Sequence, residues 1–144
     1  MNFTGIVLKT NTAPRGHNCI FPRKTAQEIV DRGKFINKPL FASSTLLNHT
    51  NGARKWHIGY FTDAWLDRDG YLHVFGEFSR DLELPNEPLG LSMDSIIYDL
   101  SPTDFAVAKW AGKKLRVDSL YVSGATLLHK EVAAFECSDF HILR

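Results

Sequence analysis

The sequence predicts a mainly β domain of the α+β kind, an antiparallel sheet closed or partly open as a barrel with one or more flanking helices. Three observations carry this expectation. Most of the apolar stretches are separated by short turns rich in Gly, Pro, Asn or Asp, as strands are. A single segment combines helical apolar spacing with start and stop signals. The 144 residues, 44% of them apolar, suffice to bury one core without a metal or a disulfide.

Phe3 to Lys9 reads as the first strand, and Thr10 to Gly16, with Asn11, Pro14 and Gly16, as a loop. In the helix that follows, Thr25 is the expected cap and Glu28 its capping-box partner. Ala26, Ile29 and Val30 supply the apolar face, and Gly33 the stop. Asn37-Lys38-Pro39 turns the chain into a strand at Leu40 to Ala42. His57 to Leu66 and Tyr71 to Phe78 are the arms of a hairpin, joined by Asp67-Arg68-Asp69-Gly70 with glycine where φ > 0 is required. Ser79 to Pro88 is a long irregular connection. Strands are expected again at Leu89 to Leu100, Phe105 to Trp110 and Lys114 to Leu128, the last two joined by a turn at Ala111-Gly112-Lys113.

Composition narrows the function. With 17 basic and 16 acidic residues the net charge is +1, which argues against nucleic acid and against an anionic membrane surface. The local run Lys113, Lys114 and Arg116 is expected to be a solvated strand end. No stretch approaches the ~20 apolar residues of a membrane span, and Met1-Asn2-Phe3-Thr4 lacks a basic leader region. The chain is therefore expected in the cytosol or in a particle assembled there, with Cys19 and Cys137 as free thiols.

The six histidines show none of the spacings that bring metal ligands together, and Gly90 stands alone where a phosphate cradle needs more than one glycine. No metal site and no phosphate cradle are expected. Ser92, in Leu89-Gly90-Leu91-Ser92-Met93-Asp94, is either a nucleophile given room by Gly90 or an ordinary strand hydroxyl. His49 ends an apolar run at a turn, a position for a general base or for a histidine bonded to a neighbouring carbonyl. His57 and His73 sit in the hairpin arms, where exposure or cross-strand pairing is the expectation.

Taken in order, these segments resemble the tailed-phage prohead proteases, the head-maturation serine peptidases whose fold is related to the herpesvirus assemblins. The resemblance runs through Phe3-Thr4-Gly5-Ile6-Val7-Leu8-Lys9, Asn18-Cys19-Ile20-Phe21-Pro22, Asn37-Lys38-Pro39-Leu40, Asn48-His49 and His57-Ile58-Gly59-Tyr60-Phe61-Thr62-Asp63-Ala64. It continues in the acidic hairpin with Gly70-Tyr71-Leu72 and Gly76-Glu77-Phe78, and in Gly90-Leu91-Ser92-Met93, which stands where the family has its nucleophile. It implies Ser92 as nucleophile and His49 as base.

The segment Ser123-Gly124-Ala125-Thr126-Leu127-Leu128 resembles the family's strand for the third group, but it has Ser123 and Gly124 where many members carry glutamate and the assemblins a second histidine. Asp118, six residues before Gly124 and on the same face of a regular strand, is the first choice for orienting His49. His129, Glu131 and Asp94 are alternatives, as is a bare Ser92–His49 dyad.

The resemblance further implies an endopeptidase without cofactor, acting inside the immature capsid in the host cytoplasm. Its partners would be scaffold and the N-terminal extension of the major capsid protein, and it would self-associate. Residues 1–144 then form a single protease-core domain lacking the family's usual C-terminal segment. Two other readings stand beside this one. The first is a catalytically silent β-barrel module binding capsid or scaffold protein. The second is a nucleic-acid-binding barrel in which Trp56, Tyr60 and Trp65 form a stacking face.

Overall fold

The computed structural model describes residues 1–15, 19–43, 46, 55–95, 106–111 and 114–143, with the backbone alone at 55, 95, 106–111 and 114. Its strands are β1 (Asn2–Lys9), β2 (Cys19–Ile20), β3 (Pro39–Ser43), β4 (Lys55–Leu66), β5 (Tyr71–Phe78), β6 (Leu89–Ser95), β7 (Ala106–Ala111), β8 (Lys114–Leu120), β9 (Val122–His129) and β10 (Asp139–Leu143). The helix α1 (Arg23–Asp31) lies between β2 and β3, and a single 3-10 turn (Lys130–Val132) follows β9.

Seven strands form one sheet in the order β10-β1-β5-β4-β3-β9-β6, and β2-β8-β7 form a second. The large sheet curls until its two end strands meet. Ser138, just before β10, joins them: its hydroxyl oxygen accepts from the Leu91 N–H at 2.7 Å and lies 2.7 Å from the Leu91 carbonyl and 3.0 Å from that of Ile6. The fold is therefore mainly β, a nearly closed barrel with one flanking helix among the described residues.

Two features differ from the expected pattern. The sheets are mixed, because β3 runs parallel to β9 and β2 parallel to β8; sequence periodicity does not encode the direction of a partner strand. The expected strand from Lys114 to Leu128 is broken at Tyr121, and its halves β8 and β9 belong to different sheets. Residues 96–100, expected to continue β6, residue 105, expected to begin β7, and residues 112 and 113, expected in the turn before β8, lie outside the described residues.

The hairpin forms as its sequence dictates. Gly70 adopts φ 90°, and the Asp67 carboxylate accepts from the N–H groups of Asp69 and Tyr71 at 2.9 and 3.0 Å and pairs with His73 Nε2 at 2.8 Å. The core alternates along the strands: Phe3, Leu40, Ile58, Phe61, Leu72, Val74, Leu91 and Leu127 are all at most 1% exposed. Phe3 sits at its centre, with ring centroids 5.5, 5.1 and 5.4 Å from those of Phe61, Phe78 and Phe140. A Cβ on Gly76 would stand 2.5 Å from the Phe3 ring, so this position makes room for the packed aromatic.

Helix α1 ends as expected. Gly33 has φ 59°, and the N–H groups of Gly33 and Lys34 donate to Val30 and Ile29, the paired bonds of a Schellman stop. It does not begin as expected. The cap position is Pro22, with no side-chain hydrogen bond, and Thr25 instead donates its hydroxyl to the Val117 carbonyl at 2.7 Å. Glu28 likewise turns outward to Lys34 Nζ at 2.8 Å and the Ser119 hydroxyl at 2.9 Å. Both residues hold the helix to β8.

Candidate functional site

Along β6, Leu91 points into the core and Ser92 and Asp94 share the opposite face, as strand alternation requires. The antiparallel register sets Ser92 against Thr126 and Asp94 against Gly124. Thr126 in turn lies beside Phe41 on β3, and Phe41 beside His57 on β4. One row thus crosses four strands: Ser92, Thr126, Phe41, His57.

Polar groups are buried at one end of this row. Ser92 is 4% exposed and Thr126 fully buried. The Thr126 hydroxyl lies 3.1 and 2.9 Å from the two carboxylate oxygens of Asp94, to which it donates. The Ser123 hydroxyl donates to the Asp94 carbonyl at 2.9 Å. Glycine at position 124 explains why the carboxylate leans this way: nothing projects from the residue opposite it, so a diagonal partner is within reach. Gly124 is itself fixed by the fold, for its φ is 147° and an added Cβ would lie 2.3 Å from the Pro39 carbonyl oxygen.

The candidates from the sequence are distributed unevenly around this group. His49 lies outside the described residues; the last described residue before it is Leu46, whose N–H donates to the Ser43 hydroxyl and whose carbonyl accepts from the His129 N–H. Asp118 is on β8 in the smaller sheet, with its carboxylate 2.9 Å from Arg116 Nε. The alternation that would align it with Gly124 does not carry across the break at Tyr121. His129 Nδ1 is 3.2 Å from Glu87, and the Glu131 carbonyl accepts from Arg15. Of the alternatives for the third group, Asp94 is the one that shares a strand and a face with Ser92.

Gly90 also meets the segment that closes the barrel: a Cβ there would stand 3.0 Å from Ala133 Cβ and from the Ser138 oxygen. Thr126 was not a candidate from the sequence, because a threonine inside an apolar strand carries no signal until its cross-strand partner is known.

Among the described residues, the other histidines have local partners. His57 lies tilted against Phe41, with ring centroids 5.9 Å apart and the planes at 53°, and His73 lies flat on Trp65 at 5.2 Å. Three strand spacings, on the order of 14 Å, separate His57 from Ser92, too far for proton transfer. The aromatic trio proposed for nucleic acid does not form one face: Trp56 packs against the core, whereas Tyr60 donates its hydroxyl to Glu77 and Trp65 is exposed against His73. Cys19 and Cys137 are free thiols. No helix among the described residues is long and apolar enough to cross a membrane.

Comparison with protein-family models, curated proteins and solved structures finds no match to this chain.

Proposed function

We propose that the chain is a serine endopeptidase of phage head maturation, cleaving scaffold and the N-terminal extension of the major capsid protein inside the immature capsid. The observation that carries this reading is Ser92 itself, seated on β6 of a barrel-plus-helix fold beside a buried threonine and a carboxylate. In the reaction, His49 takes the proton of the Ser92 hydroxyl as its oxygen bonds to the peptide carbonyl carbon. The imidazolium returns that proton to the leaving amine as the C–N bond breaks, and water then hydrolyses the acyl-enzyme. β6 is an end strand of the large sheet whose edge is occupied at Leu91 by Ser138, so an extended peptide would add through main-chain hydrogen bonds beyond Leu91, on the Met93 side. Self-association is part of the same proposal.

A second reading, the silent module that binds capsid or scaffold protein, is favoured by one observation: Ser92 is 4% exposed, the ordinary state of a serine held within a sheet. A fluorophosphonate probe separates the two. Labelling at Ser92, mapped by peptide mass spectrometry and lost in His49→Ala, is the expected result; a wild-type chain that resists labelling even in the presence of scaffold protein supports the silent module instead.

A further inference from the structure

We propose that the segment from Asp81 to Pro85 is a docking strand for an extended peptide in which apolar and basic residues alternate, with one apolar side chain of that peptide filling the cavity beside it. The site stands apart from the serine-protease reading and uses none of its residues.

The main chain is the first support. Residues 81–85 run without turn or bend between β5 and β6. Leu82 and Leu84 are half-buried and packed against the core cluster, whereas Asp81 and Glu83 are exposed. That is the period of a strand. Yet among the described residues no main-chain N–H or carbonyl from Asp81 to Pro85 is hydrogen-bonded: the bonds on either side are Ser79 N–H to the Ile58 carbonyl and Lys130 N–H to the Pro88 carbonyl. A strand-like segment with unpaired main-chain groups is a template on which a second strand can add.

The cavity is the second. Between this segment and the ends of β3 and β4 lies a space of about 420 Å³ whose apolar walls include Ala42, Trp56, Ile58 and Leu84, with polar groups from Ser43, Arg80 and Glu83. A mostly apolar hollow with few polar groups suits a large aliphatic or aromatic side chain.

Charge is the third. Residues 79–88 hold three acids, Asp81, Glu83 and Glu87, against one base, Arg80, in a chain whose net charge is +1. Glu87 is engaged by His129 at 3.2 Å, and Arg80 reaches the His57 carbonyl at 3.4 Å. Asp81 and Glu83 make no ion pair among the described residues, so the surface beside the cavity presents two open carboxylates.

Together these features set the partner's pattern. On an added strand, residues opposite Leu82 and Leu84 turn toward the cavity side, and the residue between them turns outward beside Glu83. Apolar side chains suit the first positions. Lysine or arginine suits the second, where a carboxylate would be repelled.

The test is fluorescence anisotropy with a short fluorescein-labelled peptide of alternating lysine and leucine, titrated with the whole chain. Replacing its leucines by alanine, its lysines by glutamate, or methylating the main-chain nitrogens is each expected to weaken binding about 10-fold or more. Asp81→Lys combined with Glu83→Lys, both at exposed positions, is expected to weaken the lysine–leucine peptide about 10-fold and to improve the glutamate–leucine one. In the complex, the amide N–H groups of Leu82, Glu83 and Leu84 are expected to exchange with solvent about 10-fold more slowly than in the free chain. Absence of binding overturns the proposal. So does equal affinity for the N-methylated peptide, which marks a pocket for apolar ligands without strand addition, or protection confined to amides elsewhere in the chain. Because the peptide variants and the exchange measurement use the wild-type chain, they decide the matter even if the double variant does not fold.

Discussion

Ser138 joins the ends of the large sheet through one fully buried hydroxyl that serves Leu91 and Ile6. Removing one partner of a buried hydrogen bond strands the other without water to replace it, at a cost of about 1–3 kcal/mol. Ser138→Ala is therefore expected to lower the unfolding free energy by that amount, read as a lower urea midpoint with an unchanged m-value; a midpoint equal to wild type means the barrel closes without this bond. At the same scale, Gly76 and Gly90 show that part of what a motif glycine does depends on distant neighbours. The neighbours that demand them, Phe3 for one and Ala133 and Ser138 for the other, are distant in sequence and arrive only with the fold.

The helix illustrates the scale of elements. Its stop was legible because Gly33 acts through its own backbone, but its start was not, because Thr25 and Glu28 serve β8 rather than their own helix. The Lys34 hydrogen bond is the main reason that the Glu28 carboxyl titrates below its ordinary value of 4.5; burial opposes the shift, and the Ser119 hydroxyl adds to it. A carboxyl with a depressed folded pKa stabilises fully above its unfolded pKa, and that contribution is lost as pH falls through the folded value. Glu28→Gln is thus expected to cost about 1 kcal/mol near pH 7, a partly exposed pair being screened by solvent. The difference from wild type should shrink as pH drops below about 4.5. Thermal melts of both chains from pH 7 to pH 3 measure it, and a gap that widens toward acid contradicts the assignment.

At the scale of the molecule, the large sheet, the small sheet and α1 share one buried cluster that runs from Phe3 through Ile29 and Phe35 to Val117. Cys19 is part of it, 4% exposed, and burial raises the pKa of its thiol; burial does the same for the half-buried Cys137. Both thiols are thereby slowed as nucleophiles, Cys19 the more so because a reagent meets it only when the structure opens. With iodoacetamide at pH 8, Cys19 is expected to react about 100-fold more slowly in the native chain than in urea, with Cys137 between these limits. Equal native rates for the two thiols are the result that contradicts this packing.

What is set within a few residues is readable from the chain alone: the β1 strand, the Asp67–Gly70 turn with its two arms, the Gly33 stop and the mainly β class. In each case the cause is local, a period of two, a positive φ or a run of apolar side chains, and so it is written in consecutive residues. Ser92 stands out in the sequence by its glycine-flanked strand, whereas Asp94 is one of several acids there. Tertiary structure alone decided that β3 and β9 run parallel, that the chain changes sheets at Tyr121, and that Asp118 and Asp94 part company, one to Arg116 and the other to the face of Ser92. Those facts depend on strand register, and register is fixed when a face is buried against distant partners, which no stretch of neighbouring residues records.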